Sequence, residues 1–97
     1  MNTKDYFWDF NLNKLFFQNN QIYLNENETK ICTLLLKTPY RVLTYIEIVD
    51  KLWNDNISNK KEELIFLIRK LEKKLPSSFI EESRGLGYKI KHKSYSL

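Results

Sequence analysis

The sequence predicts one small α+β domain with an N-terminal antiparallel sheet, a three-helix core and a C-terminal β-hairpin. Strand-favouring residues cluster in the first 24 positions and again after Pro76. Between them, apolar residues recur at helical spacing behind three capping motifs. Because 97 residues suffice for one hydrophobic core and not for two, we expect a single domain over residues 1–97, ordered from about 5 to 91.

The N-terminal sheet is predicted from three short strands. The first covers residues 6–10, and residues 14–18 and 21–24 form a hairpin. We place its two-residue turn at Asn19 and Asn20, because asparagine tolerates the positive φ angles that such a turn requires. A hairpin alone is only marginally stable in water, so this sheet must pack on the rest of the chain.

Three capping boxes mark the helices. In a capping box, the N-cap side chain and an acidic side chain three residues later each accept a hydrogen bond from an otherwise unpaired backbone N–H. The three pairs are Asn25 with Glu28, Thr44 with Glu47, and Asn59 with Glu62. The first helix should end before Pro39, and the third should run over residues 59–75 and end before Pro76. The second should bury Ile48, Val49, Leu52 and Trp53.

The chain ends in a predicted hairpin, the wing. Residues 79–82 and 88–90 read as strands, joined through Arg84, Gly85, Leu86 and Gly87. Both glycines of the chain lie in this turn, where they permit positive φ angles and close approach of the backbone. A three-helix core followed by a β-hairpin is the architecture of winged helix-turn-helix domains, and we expect that fold.

Charge is distributed unevenly along the chain. Residues 1–59 contain six basic and seven acidic side chains, whereas residues 60–97 contain ten and five. A basic C-terminal half indicates a polyanionic partner on that side. No apolar run approaches the roughly 18 residues needed to span a bilayer, and no signal peptide is visible. We therefore expect a cytoplasmic protein with no membrane contact, and the single cysteine, Cys32, as a small core residue.

No constellation of residues predicts catalysis. His92 is the only histidine. It lies in a tail, residues 91–97, that we expect to be frayed, and it has no partners for a catalytic triad or a metal site. The two glycines form a turn and not a loop that cradles phosphate. We therefore expect no enzyme activity, no catalytic residues, no metal, no cofactor and no small-molecule substrate.

Two motifs resemble the C-terminal effector domain of OmpR/PhoB-type response regulators. Residues 68–75 read I-R-K-L-E-K-K-L and residues 84–90 read R-G-L-G-Y-K-I, where that family typically reads I-x-x-L-R-x-K-L and then R-G-x-G-Y-x-[LFI]. Residues 24–28 and 42–53 resemble the beginnings of its first and second helices, so the resemblance covers nearly the whole chain. The family's four N-terminal strands would have to come from residues 5–24, where three are visible.

The resemblance implies the DNA-binding output domain of a bacterial two-component regulatory system, which acts in transcription regulation through phosphorelay signal transduction. Its partner is double-stranded DNA, with the third helix in the major groove and the wing on the adjacent backbone or minor groove. The wing residues placed at the DNA are Arg84, Gly85 and Gly87. Tyr88 is expected to pack beneath the wing.

The helical projection separates a buried from an exposed face of the third helix. The buried stripe comprises Leu64, Leu67, Ile68, Leu71 and Leu75. The opposite face carries Glu62, Phe66, Arg69, Lys70 and Lys73, with Ile65 at its edge. We expect Arg69 and Lys70 to contact base edges or phosphates and Lys73 to contact a phosphate. Phe66 is expected to contact a thymine methyl group.

Three residues depart from the family pattern. Glu72 stands where arginine is usual, Ile65 where aspartate is usual, and Leu67 where histidine or tyrosine is usual. With Glu62 and Glu63 at the expected start of the helix, they indicate weaker or altered DNA binding by one element of a dimer on a tandem site. The alternative is a winged-helix protein-interaction module with weak or no DNA binding.

Two expectations concern the wider protein. The resemblance implies a contact with RNA polymerase through the loop that begins at Asn54 and ends at Ser58, where Ile57 is the candidate apolar residue. The chain contains no receiver domain, which would need on the order of a hundred further residues. We expect an excised C-terminal domain of a longer protein; a free-standing regulator without phosphorylation control is the alternative.

Overall fold

The computed structural model describes residues 5–90, in which two small antiparallel sheets flank three helices. The strands are β1 Tyr6–Asp9, β2 Lys14–Phe17, β3 Asn20–Ile22, β4 Leu43–Thr44, β5 Ile80–Ser83 and β6 Gly87–Ile90. The helices are α1 Glu26–Lys37, α2 Tyr45–Trp53 and α3 Ile57–Glu72. The predicted α+β architecture is confirmed. The tail predicted to fray, with His92, lies outside the described residues.

The N-terminal sheet has the order β1-β2-β3, and its turn lies one residue earlier than predicted. Phe17 pairs with Asn20, so the two turn residues are Gln18 and Asn19, with φ angles of 50° and 68°. In this register Leu15 pairs with Ile22 on β3, and Leu15 faces the core opposite Trp8 on β1.

Helices α1 and α2 begin at the predicted capping boxes. The Glu28 backbone N–H donates to Asn25 Oδ1 at 2.8 Å, and the Asn25 N–H donates to Glu28 Oε1 at 2.9 Å. Thr44 and Glu47 make the same reciprocal pair at the start of α2. Both predictions are confirmed.

Helix α3 begins and ends earlier than predicted. Its N-cap is Asn56, whose side chain accepts a hydrogen bond from the Asn59 backbone N–H at 3.2 Å, so the predicted box of Asn59 with Glu62 is wrong. The first turn of α3 contains no acidic residue, and Glu62 and Glu63 therefore lie beyond the helix entrance. After Glu72 the chain continues in tight turns that still bury Leu75.

The C-terminal sheet contains a strand that the sequence analysis missed. Strand β6 lies in the middle, between β5 and the two-residue strand β4. Thr44 pairs with Gly87, and a Cβ atom at Gly87 would lie 1.9 Å from the Leu43 carbonyl oxygen. Glycine is therefore required there by close backbone approach. Gly85 is required for a different reason, because its φ angle is +76° in the turn of the wing.

The core joins all three helices to both sheets. The predicted stripe of α3 is buried, as are Trp8, Ile48, Val49 and Leu52. Trp53 is only half-buried, with the Lys60 ammonium 5.7 Å from its ring centroid. Cys32 is buried as expected, and burial, reinforced by the nearby Glu28 carboxylate, raises the pKa of its thiol to about 12.

One ion pair joins a buried carboxylate of this core to a partly exposed lysine. The Glu28 side chain is 0% exposed, and its Oε1 accepts a hydrogen bond from the Lys74 ammonium at 2.8 Å. Lys74 also donates to the Tyr23 carbonyl at 3.2 Å. These contacts tie the start of α1 to the turn after α3. Within residues 5–90, no helix is long and apolar enough to cross a membrane.

Candidate nucleic-acid interface

Helix α3 presents the predicted face to solvent. Since Leu64, Leu67, Ile68 and Leu71 are buried, the orientation of the helix about its own axis is fixed. The exposed residues include Glu62, Phe66, Arg69, Lys70 and, at the C-cap, Lys73. Phe66 is 63% exposed and Ile65 is half-buried. An apolar ring is thus surrounded by charged side chains.

The cations of α3 and the wing differ in how they are paired. Lys60 lies 3.2 Å from the Glu63 carboxylate, and Lys89 lies 3.6 Å from that of Glu81. Four unpaired cations lie on the predicted face of α3 and in the wing, namely Arg69, Lys70, Lys73 and Arg84, which form no ion pair with any residue between 5 and 90. Lys61, near the start of α3 and off this face, is also exposed and without an ion pair among these residues, and its ammonium lies 6.0 Å from the Tyr45 ring centroid. The Lys70 ammonium lies 5.2 Å from the Phe66 ring centroid, a cation–π distance that leaves the ammonium exposed. These four groups are available to an external anion.

A groove between α3 and the wing contains two carboxylates. It measures about 190 Å³ and is lined by Ile65, Ile68, Arg69, Glu72, Ile80, Glu82 and Tyr88. Burial raises the pKa of Glu72, the Glu82 carboxylate raises it further, and Arg69 opposes both effects. Glu82 accepts a hydrogen bond from the Tyr45 hydroxyl at 2.5 Å. The wing side of α3 is therefore less positive than its solvent side.

Glu82 was missed as a member of this groove. The sequence marked Glu72 as an unusual acid, but nothing local links it to a residue on β5. The signal that could have identified Glu82 is the strand register, in which it lies opposite Tyr88 on β6. Because the Tyr88 ring faces the core side of the wing, its cross-strand neighbour lies on that same face.

The wing is anchored to the N-terminus of α2. The Leu86 carbonyl accepts a hydrogen bond from the Tyr45 N–H at 2.9 Å, and the Leu86 N–H donates to the Ser83 carbonyl at 2.9 Å. Tyr88 is buried beneath the wing, as predicted, with its ring edge-on to Tyr45 at 5.6 Å. Burial and the Glu82 carboxylate raise the pKa of the Tyr88 hydroxyl to about 12.

The tip and the base of the wing have different environments. Arg84 and Gly85 are exposed in the turn, whereas Gly87 is buried against β4. Gly87 therefore determines the backbone packing of the wing, and the turn exposes one charged side chain, Arg84, beside the apolar Leu86. No group of three histidine, cysteine, aspartate or glutamate side chains within residues 5–90 is arranged to hold a metal ion.

The loop between α2 and α3 is shorter than expected. Asn54 ends α2 in the left-handed conformation, with φ 51°, and Asn56 already caps α3. Ile57 is therefore the first residue of the helix, and it packs half-buried against the core. The expected placement of Ile57 within the loop is therefore wrong, and its packing on the core helps to fix the start of α3.

Comparison with known proteins identifies the family. The family model described as "Transcriptional regulatory protein, C terminal" matches residues 19–90. The transcriptional regulatory protein VxrB of Vibrio cholerae is 32% identical over 78 residues, which cover 80% of this chain and 32% of that protein. This chain spans about a third of the length of the curated relatives it matches.

Solved structures show the same fold. The DNA-binding domain of Bacillus subtilis CssR superposes with a TM-score of 0.76 at 22% identity, covering 89% of this chain and 99% of that one. The Klebsiella pneumoniae RstA DNA-binding domain, solved in complex with RstA box, gives a TM-score of 0.77 at 14% identity, with coverage of 93% and 94%. The winged-helix prediction is confirmed.

The family match extends from the turn of the first hairpin to the last described strand, and so includes all three helices and the wing. The family is a class of transcription regulators and not of enzymes. This chain belongs to the family of C-terminal domains of transcriptional regulatory proteins, in the OmpR/PhoB-type group that its two motifs predicted.

Proposed function

We propose that this domain binds double-stranded DNA as the output domain of a two-component response regulator, in the bacterial cytoplasm and without enzymatic activity. The observation that carries the proposal is the distribution of unpaired cations. Among residues 5–90, Arg69 and Lys70 on the solvent face of α3, Lys73 at its C-cap and Arg84 at the tip of the wing have no ion pair, whereas Lys60, Lys74 and Lys89 are paired with carboxylates. Lys61, also unpaired, lies near the start of α3 and off this face, with its ammonium 6.0 Å from the Tyr45 ring centroid.

Helix α3 is proposed to occupy the major groove, which is about 12 Å wide and admits a helix. Arg69 is the residue best suited to read a base, because its guanidinium can donate two hydrogen bonds to guanine O6 and N7. Lys70 and Lys73 act as point charges and suit phosphates, which are recognised by charge more than by geometry. The helix would thus be positioned by its lysines and would read sequence through Arg69.

Phe66 extends this readout to thymine. Its ring is 63% exposed in the middle of the charged face, where an apolar group is otherwise unfavourable. Contact with a thymine methyl group in the major groove would bury it. The half-buried Ile65 beside it offers a second apolar contact.

The wing is proposed to place Arg84 on the adjacent backbone or in the minor groove. The turn that carries the arginine is anchored to the N-terminus of α2, because the Leu86 carbonyl accepts a hydrogen bond from the Tyr45 N–H. A narrow minor groove carries enhanced negative potential and attracts arginine. Gly85 allows the turn to approach the sugar-phosphate backbone without a side chain in the way.

Glu72 and Glu82 should weaken binding on the wing side of α3. Both carboxylates line the groove next to Arg69, so a phosphate that approached there would meet negative charge. A single copy would therefore bind weakly, and we include in the proposal a dimer that occupies a tandem site. We also include a contact with RNA polymerase through the exposed polar residues Asn54, Asn56 and Ser58.

A base-preference experiment tests the proposal. Duplexes selected from a random library by the wild-type protein are compared with unselected duplexes by fluorescence anisotropy at low salt. Arg69→Ala should reduce the preference for selected duplexes, since one good bidentate contact contributes about 1–3 kcal/mol of discrimination. Lys73→Ala should weaken binding to both sets by the same factor.

The control is Lys14→Ala on β2, which removes an exposed lysine of the other sheet that has no ion pair with any described residue and should change neither property. Absence of binding to any duplex near 50 mM salt would refute the DNA proposal and favour the protein-interaction module. Equal, sequence-independent losses in Arg69→Ala and Lys73→Ala would refute the assignment of Arg69 to base readout.

A further inference from the structure

A second cleft lies away from α3 and the wing, between the end of α1 and the first turns of α2. It measures about 190 Å³. Its floor consists of Leu34, Leu43 and Ile48. The one hydroxyl at its mouth, that of Thr38, already donates to the Leu34 carbonyl at 2.9 Å. The interior therefore offers contacts to an apolar group and no free donor to a polar one.

The rim of this cleft is positively charged. It carries Lys37 at the end of α1, Arg41 in the turn that follows, and Lys51 on α2. The Arg41 guanidinium lies 2.9 Å from the Glu47 carboxylate, and this pair is neutral overall. Neither Lys37 nor Lys51 forms an ion pair with any residue from 5 to 90, and both are exposed. Two unpaired positive charges therefore flank the apolar floor of the cleft.

We propose that this cleft binds a short acidic segment of a partner protein. One large apolar side chain of the segment would occupy the cleft, and the flanking carboxylates would pair with Lys37 and Lys51. Size favours a side chain over a free ligand, because sites for small molecules usually enclose about 300–1,000 Å³. Charge favours an acidic segment, since the rim carries two unpaired cations. No residue of α3, β5 or β6 lines the cleft, so the proposal does not depend on DNA binding.

The binding free energy of such a site should have two separate contributions. Burial of the apolar side chain supplies the affinity, and the two lysines supply the preference for an acidic segment. The lysines are exposed, so their contribution should fall as salt is raised. Affinity should consequently depend on both the apolar residue and the flanking acids, and removal of either should be detected.

The test is a two-dimensional ¹⁵N–¹H NMR titration of the whole chain, without DNA, with the capped hexapeptide Asp-Glu-Leu-Phe-Glu-Asp. We expect saturable shifts at the amides of Leu34, Lys37, Leu43 and Lys51. Lys51→Glu should weaken binding by about fivefold or more, because it replaces an attraction by a repulsion at the rim. Lys14→Glu makes the same charge change on β2 and should leave the affinity unchanged.

A second peptide, with serine in place of leucine and phenylalanine, should not bind. The proposal is overturned by equal affinities of Lys51→Glu and Lys14→Glu, or by shifts centred on α3 and the wing, which would indicate general attraction of acids to basic surface. Binding of the serine peptide with the same affinity, or absence of saturable shifts with the first peptide, also overturns it.

Discussion

Replacement of Arg84 by alanine tests whether the wing contacts the DNA backbone. Arg84 is exposed and has no ion-pair partner within residues 5–90, so its removal breaks no such contact in the free protein. Its loss should therefore alter DNA binding and leave folding unchanged. The expected signature is a change in the dependence of affinity on salt, because each cation that neutralises a phosphate releases condensed counterions.

The magnitude follows from the number of unpaired cations on the proposed surface. If Arg69, Lys70, Lys73 and Arg84 each neutralise one phosphate, log K should fall against log salt with a slope of about −3.6. Affinity should then drop about 150-fold between 50 and 200 mM salt. With Arg84→Ala the slope should be about −2.7 and the drop about 40-fold. The loss should be similar for every DNA sequence.

Fluorescence anisotropy at four or more salt concentrations gives the two slopes. Lys89→Ala is the matched control, because Lys89 also lies in the wing but is paired with Glu81. Its slope should equal that of the wild type. If Arg84→Ala leaves the slope unchanged, Arg84 does not contact phosphate; if Lys89→Ala changes it equally, the distinction between paired and unpaired cations is wrong.

Three further predictions concern the folded domain itself. Gly87→Ala should lower the free energy of unfolding by more than about 2 kcal/mol, since the new Cβ atom would lie 1.9 Å from a carbonyl oxygen. Gly85→Ala should lower the free energy of unfolding by about 1 kcal/mol, because alanine would only have to adopt a left-handed φ angle there. Urea unfolding measures both losses, and equal losses would contradict the structure. The pKa of Glu47 is held at about 2, chiefly by its hydrogen bond from Arg41. The stabilisation that ionised Glu47 contributes is fully present above its ordinary pKa near 4.5 and is lost as pH falls toward 2. Glu47→Gln should lack this part of the pH dependence of urea unfolding. An unchanged pH profile would refute the assignment of this stabilisation to Glu47. Because burial raises the pKa of Cys32 to about 12, its thiol should react with a thiol reagent at pH 8 only as the protein unfolds; rapid reaction of the folded protein would contradict this.

Features that depend on neighbouring residues were predicted correctly. The capping boxes at Asn25 and Thr44 each require two residues three positions apart, and the buried stripe of α3 requires only helical periodicity. The buried position of Tyr88 was also predicted. In each case the local pattern and the tertiary structure favour the same arrangement, and such agreement makes a local pattern informative.

Where several local patterns competed, tertiary packing decided between them. Asn56 and Asn59 can both cap a helix, and the Asn59 pattern is the more complete one because of Glu62. The helix nevertheless begins after Asn56, because this start packs Ile57 on the core. The first hairpin also departs from its local pattern, since its turn lies at Gln18 and Asn19 and not at Asn19 and Asn20.

Contacts between distant segments were not predictable from the sequence. Strand β4 has two residues and pairs with β6 near the other end of the chain, so no local periodicity marks it. The approach of Glu82 to Glu72 likewise depends on how the wing packs against α3. The candidate interface was therefore predicted residue by residue on one helix face and in one turn, but its electrostatic balance emerged only from the tertiary structure.

The pairing of Thr44 with Gly87 has a consequence for the folding pathway. It closes a loop of backbone that contains all of α2, α3 and β5, so the helix-turn-helix unit is enclosed by the sheet that supports the wing. Closing so long a loop has an entropic cost before any native contact compensates it, and non-local contacts of this kind slow folding. The wing is therefore an integral part of the domain. A chain shortened before β6 would lose the partner of β4 and with it the closure of this loop.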